Sequence, residues 1–120
     1  MTEPVPDQVQ RRIRRLYAAF NEGNIDTVLA GLTVDVAWAN GMEGGHVHGH
    51  GGVRDYWTRQ FQQIRSTVEP HHIELAPDGR VAVQVHQVVQ SADGSQLLDD
   101  TWVRHLFTFR NGQVSRFDIA

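Results

Sequence analysis

An α+β fold, with helices covering one face of a curved sheet, follows from three features of this 120-residue sequence. Two helical stripes come first, and a third follows a glycine-rich loop. The C-terminal half then reads as strands joined by short turns. The longest strand, Leu97 to Arg110, sorts by period-two alternation into two faces. Thr101, Val103, His105, Phe107 and Phe109 share one, and Trp102, Arg104, Leu106 and Thr108 share the other.

Asp7, with Gln10 three residues on, predicts a capping-box helix start. Val9, Ile13, Leu16, Tyr17 and Phe20 then form an apolar stripe, and Gly23 can supply the left-handed residue that ends it. Asn24 predicts the cap of a short second helix carrying Ile25, Val28, Leu29 and Leu32. Val34, Val36, Trp38 and Asn40 alternate with Asp35, Ala37 and Ala39, the mark of a strand with one buried face. GMEGGHVHGHGG, with six glycines in twelve residues, predicts a loop. Val53, Tyr56, Trp57, Gln60, Phe61 and Ile64 fall on one face of a third helix. Pro70 delays the next strand to about His71–Ala76, since proline belongs at strand starts or edges. Pro77-Asp78-Gly79 is a turn before a strand from Arg80 to Gln90, Asp93-Gly94 centres a hairpin, and Asn111-Gly112 leads into a last strand, Gln113 to Ala120.

A two-residue turn at Asp93-Gly94 pairs Ala92 with Ser95, which sets Ala82 opposite His105 and His86 opposite Thr101. Opposed residues share a face. Ala82, Gln84, His86 and Val88 are thus expected beside His105, and Val81, Val83 and Val85 beside Trp102 and Leu106. The first face is mixed polar and aromatic, which suits a cavity beneath the helices. An aliphatic face containing a tryptophan suits a second subunit, so a homodimer through Val83, Val85, Trp102 and Leu106 is expected.

A chain of this length forms one domain that buries roughly two-thirds of its potential surface. Net charge is -3, which gives no nucleic-acid footprint, and Arg11, Arg12, Arg14 and Arg15 read as a solvated helix face. No run approaches the ~20 apolar residues of a membrane span. The N-terminal MTEPVPD resembles neither a signal nor a transit peptide, so a cytoplasmic location is expected. There is no cysteine, hence no disulfide or thiolate site.

RRLYAAFNEGNIDTVLAGLTVDVAW, then HGGVRDYW, then HLFTFRNGQVSRFDI resemble the nuclear-transport-factor-2-like superfamily. Within it the chain is most similar to small bacterial SnoaL-like and ketosteroid-isomerase-like proteins. The resemblance runs from about Val9 to Ile119. It implies a cone-shaped barrel of three helices on a curved, mostly antiparallel sheet, with a pocket inside and commonly a dimer through the outer sheet face. The isomerases place a tyrosine, an aspartate base and a second acid where this chain has Leu16, Asn40 and His105, so steroid isomerase activity does not carry over. Trp38 and Asn40 partly resemble a water-positioning pair of limonene-epoxide-hydrolase-type enzymes. Their Asp/Arg/Asp set is absent: Asp99 and Arg104 lie on opposite faces, and Asp118 is on the outward phase. His105, His86 and Tyr17 have the chemistry used by scytalone-dehydratase-type enzymes, with no motif spacing to link them.

Imidazole titrates near neutrality, so His105 on an aromatic face is the candidate acid or base. Asn40 is the candidate donor to a developing oxyanion. Tyr17, Trp38, Phe61, Gln84, His86, Phe107 and Phe117 are the candidate substrate-binding residues. Seven histidines also raise the question of metal. His46, His48 and His50 sit among glycines that fix tetrahedral geometry poorly, and His71-His72 would point to opposite sides of a strand; neither is assigned a metal, and no cofactor is expected. The function expected is proton-transfer chemistry (isomerase, cyclase or dehydratase) on a small apolar carbonyl compound. The alternative is a non-catalytic ligand-binding or dimerisation module.

Overall fold

The computed structural model describes residues 5–120; the first four residues, part of the MTEPVPD segment, lie outside the described residues. Helix α1 (Asp7–Asn21) and helix α2 (Ile25–Ala30) lead into strand β1 (Leu32–Ala39) and a short β2 (His46–His48). Helix α3 (Gly49–Gln63) runs directly into β3 (Ile64–Leu75), followed by β4 (Val81–Ser91), β5 (Leu97–Arg110) and β6 (Gln113–Ile119). The six strands form one sheet in the order β2-β1-β6-β5-β4-β3, antiparallel except for the β1–β6 pair. The helices pack on its concave face, giving the expected α+β cone. Among the described residues no helix is long and apolar enough to cross a membrane.

The local signals are met with several adjustments. Leu32, expected on the second helix, opens β1, and Ile64, expected on the third, opens β3. Pro6, not Asp7, occupies the N-cap of α1, and Gln10 reaches back to the Val5 carbonyl at 3.0 Å. Asp7 instead opens the helix, where a carboxylate suits the positive end of the dipole. Half of the expected glycine loop is structured: His46–His48 pairs with β1, and α3 starts at Gly49. Val34 is exposed, because the β1–β6 ladder is irregular between Leu32 and Ala37. Strand β3 begins seven residues before His71, and Pro70 is tolerated inside it because β3 is an edge strand. That edge is partly covered by a helix side chain. The Asn21 amide donates to the Val68 carbonyl at 2.7 Å and accepts from its N–H at 2.9 Å, standing in for a neighbouring strand.

The β4–β5 register departs from expectation. Close to the loop the pairing is as a tight turn predicts, with Gln90 opposite Leu97. The next pair is Val89 with Asp99, which leaves Leu98 unpaired as a β-bulge. One extra residue reverses every side chain beyond it. Val83 therefore lies opposite His105 and Val85 opposite Val103, while Gln84 faces Arg104 and His86 faces Trp102. Val83 and Val85 are fully buried in the core, not on the outer face. Ala82, Gln84, His86 and Val88 take the outer face. The aliphatic patch from which a dimer was expected is therefore absent: beside Trp102 and a buried Leu106 the outer face carries polar groups.

A second bulge falls in β3. Pro70 pairs with Val85 and His72 with Gln84, so His71 is the extra residue. His71 packs against Trp102 at 4.8 Å and His72 lines an outer groove with Gln84 and Arg104. The two neighbouring histidines thus lie on one side of the sheet, contrary to simple alternation.

This register has a direct test. Val83→Asp puts an unpaired charge into a fully buried site and should cost more than about 4 kcal/mol in urea denaturation, whereas Gln84→Asp should stay within about 0.5 kcal/mol. The reverse ranking would restore the turn-based register.

Candidate active site

Between the helices and the concave sheet face lies a cavity of about 450 Å³. That is within the range of pockets that hold small organic molecules. Its walls come from α1, β1, α3, β3, β4, β5 and β6, so no single segment builds it. Trp38 stacks on Phe117 at 4.1 Å, and Trp57 meets Trp38 edge-on at 5.1 Å. Phe107 is fully buried and meets Phe117 at 5.2 Å.

Inside this aromatic shell, Tyr17 Oη and His105 Nδ1 are hydrogen-bonded at 2.7 Å. Alternation places His105 inward on β5, and the helical stripe of α1 places Tyr17 over it. Their rings are parallel, and Phe117 meets the imidazole edge-on at 4.7 Å. Burial removes water from both groups. The His105 pKa falls to about 4 from an ordinary 6.5, and the Tyr17 phenol is pushed well above its usual range. Both are neutral at pH 7. Each can donate or accept, so one proton is shared across the bond and the second remains for a ligand.

Of the residues expected at the site, His105, Tyr17, Trp38, Phe107 and Phe117 meet on the cavity wall. Phe61 packs behind the wall, on Phe20 at 5.7 Å. Asn40 is not among the lining residues: its side-chain oxygen accepts from the Met42 and Glu43 N–H groups at 3.0 and 2.9 Å, holding the β1–β2 turn. Gln84 and His86 are on the far side of the sheet, carried there by the Leu98 bulge. His46 and His50 go to separate partners, the Asp118 carboxylate and the Leu32 carbonyl.

Five polar lining residues were not assigned to the site from sequence: Tyr56, Gln60, Gln87, Asp99 and Thr101. Asp99 could have been found, since it is in phase with His105 on the same strand. Its carboxylate is at the exposed end of the cavity. Tyr56 and Gln60 stood in the α3 stripe, where they read as core. The Tyr56 hydroxyl accepts from the Gly41 N–H at 3.1 Å, and burial is the main cause of its raised pKa. Gln87 needed the true register.

A cone of helices on a curved sheet, enclosing an aromatic cavity with a buried Tyr17–His105 hydrogen bond, is the architecture of the nuclear-transport-factor-2-like class. Residues 13–117 match the SnoaL-like domain, and the chain belongs to that family. No curated protein matches it in sequence. Among solved structures, an NTF2-like protein of unknown function from Burkholderia pseudomallei is similar at 24% identity and a TM-score of 0.81, over 96% of this chain and 91% of that one. TerC, co-crystallised with polyporic acid, is similar at 25% identity and a TM-score of 0.81, over 95% and 91%. A putative polyketide cyclase from Xanthomonas campestris is similar at 24% identity and a TM-score of 0.76, over 93% and 88%.

The buried imidazole makes stability pH-dependent. The unfolded chain takes up this proton near pH 6.5 and the folded chain only near 4. Acidification through that window therefore favours unfolding, by up to about 3 kcal/mol for this group. His105→Gln should flatten the fall in Tm between pH 6.5 and 4 relative to the parent protein. Parallel Tm curves for the two proteins would refute the buried, neutral state.

Proposed function

We propose that this protein is an enzyme of proton-transfer chemistry, of cyclase or isomerase type, acting on a small, largely apolar compound with two neighbouring carbonyl groups. The observation that carries the reading is the 2.7 Å Tyr17–His105 bond on the wall of an aromatic cavity. With a proton on Nδ1, His105 donates to Tyr17 Oη. The phenolic O–H is then directed to a substrate carbonyl oxygen, and Nε2 keeps a lone pair. Nε2 takes a proton from the adjacent carbon, and the enolate oxygen accepts from Tyr17. The imidazolium returns its proton to another carbon, completing an isomerisation. In a cyclisation the enolate carbon instead attacks a second carbonyl, and the imidazolium protonates the resulting alkoxide.

Two further points support this reading. A histidine with a pKa near 4 is a weak base, suited to an acidic C–H between two carbonyls. Similar folds named as putative polyketide cyclases fit that substrate chemistry. Tyr17 takes the donor role first expected of Asn40. The second reading is a carrier that holds its ligand without reaction, favoured by the fact that Tyr17 and His105 already satisfy one another.

Deuterium exchange separates the two. A panel of aryl 1,3-diketones in D2O, followed by NMR, should include members whose α-carbon exchange the protein accelerates. His105→Ala and Tyr17→Phe should each reduce that rate by about 10²–10⁴-fold. The rate should hold constant from neutral pH down to about 5 and then fall as His105 takes up a proton near 4. Diketones that bind without faster exchange would establish the carrier.

A homodimer is a separate proposal, resting now on Trp102, which is 54% exposed on the outer face. Light scattering should give twice the 13.6 kDa chain mass, and Trp102→Asp should halve it. The monomer mass for the parent protein would remove the proposal.

A further inference from the structure

We propose that Glu69, His71 and His86 form a binding site for a divalent transition-metal ion of the zinc class on the outer sheet face. Each offers one donor atom, and the three atoms lie within 4.8 Å of one another. His71 Nε2 and the Glu69 carboxylate are 3.6 Å apart. Two donors bound at zinc distances to one tetrahedral ion stand about 3.3–3.5 Å apart, so small side-chain rotations close the site. The backbone has already done most of the work. Glu69 is directly opposite His86 in the β3–β4 ladder, and the bulge at His71 turns that imidazole to the same side. Without the bulge, His71 and His72 would lie on opposite faces.

A fourth group completes the set. The Asp100 carboxylate, opposite Val88 on the outer face, is 2.6 Å from His86 Nε2. A carboxylate on an imidazole orients a metal-bound histidine and raises its basicity. Two imidazoles with carboxylates select zinc, nickel or copper over magnesium or calcium, which prefer all-oxygen sites. The cluster is separate from the cavity: Val85 and Gln87, the neighbours of His86, face the opposite side of the sheet. Trp102 provides a built-in reporter, stacked on His86 at 5.0 Å and edge-on to His71 at 4.8 Å. The other two tryptophans, Trp38 and Trp57, are buried in the core.

Calorimetric titration of the purified protein with zinc chloride tests the site. One ion per chain should bind, and His71→Ala and His86→Ala should each weaken binding about tenfold or more, with a smaller loss for Asp100→Asn. Nickel chloride should quench tryptophan emission in the parent protein, and Trp102→Phe should abolish that quenching. The glycine-flanked histidines are the rival source, so His46→Ala and His48→Ala should bind as the parent does. These side chains are at or near the surface, and unchanged metal-free Tm values will show that each variant folds. No zinc binding at millimolar concentration, parent-like affinity in both His71→Ala and His86→Ala, or loss of binding in His48→Ala would each overturn the assignment.

Discussion

In an antiparallel hairpin, opposed residues face the same way, so the register between two strands decides what each can touch. Here the register of β4 on β5 depends on one unpaired residue, Leu98. With that bulge, three β4 valines, Val81, Val83 and Val85, pack into the core opposite Phe107, His105 and Val103. Gln84 and His86 are sent outward with Arg104 and Trp102. Had the pairing continued unbroken from the turn, the core would have received two polar side chains and lost three aliphatic ones. Burial of those valines is worth about 1.5–3 kcal/mol each, which is enough to select the bulged ladder. The turn supports it locally: the Ser95 N–H and the Ser91 and Ser95 hydroxyls all point at the Asp93 carboxylate and hold its pKa at about 2.

The same register shapes the interior chemistry. With aliphatic groups opposite it, His105 has few polar neighbours, and its side chain is hydrogen-bonded to Tyr17. Two neutral groups joined in a buried aromatic shell avoid the cost of a buried charge, and they can exchange a proton without changing net charge. Asp99, Gln87 and Gln60 place further polar atoms on the wall, but among the described residues only Tyr17 hydrogen-bonds the imidazole. The cavity therefore carries polar groups at the buried Tyr17–His105 pair, at the buried Tyr56 and Gln60, and at its exposed end, set among aromatic walls.

Outside the cone, the bulges at Leu98 and His71 act on one face. Leu98 brings His86 outward and the extra residue at His71 brings a second imidazole beside it, with Trp102 packed on both. Pro70, which cannot donate to the ladder, sits next to that irregularity on an edge strand. The outer face is thus an aromatic and imidazole surface where strand alternation alone predicts an aliphatic one.

Within single segments the amino-acid pattern was enough. The stripe of α1, the Asn24 cap, the Asn111-Gly112 turn with both residues at positive φ, and the two faces of β5 all follow from local preferences and periodicity. So His105, Tyr17, Trp38, Phe107 and Phe117 could be assigned to one cavity before any coordinates, helped by the family resemblance. Asp99 was legible in the same way. What depended on tertiary structure was every relation between segments. A β-bulge leaves no mark in the alternation of either strand, because the extra residue is chosen by which pairing buries the larger apolar surface. Asn40 fits a pocket by spacing, but its short side chain is claimed by the N–H groups of the turn that follows. Side-chain direction along one strand is a local property of a two-residue repeat, whereas the partner across the ladder is settled by the packing of the whole core.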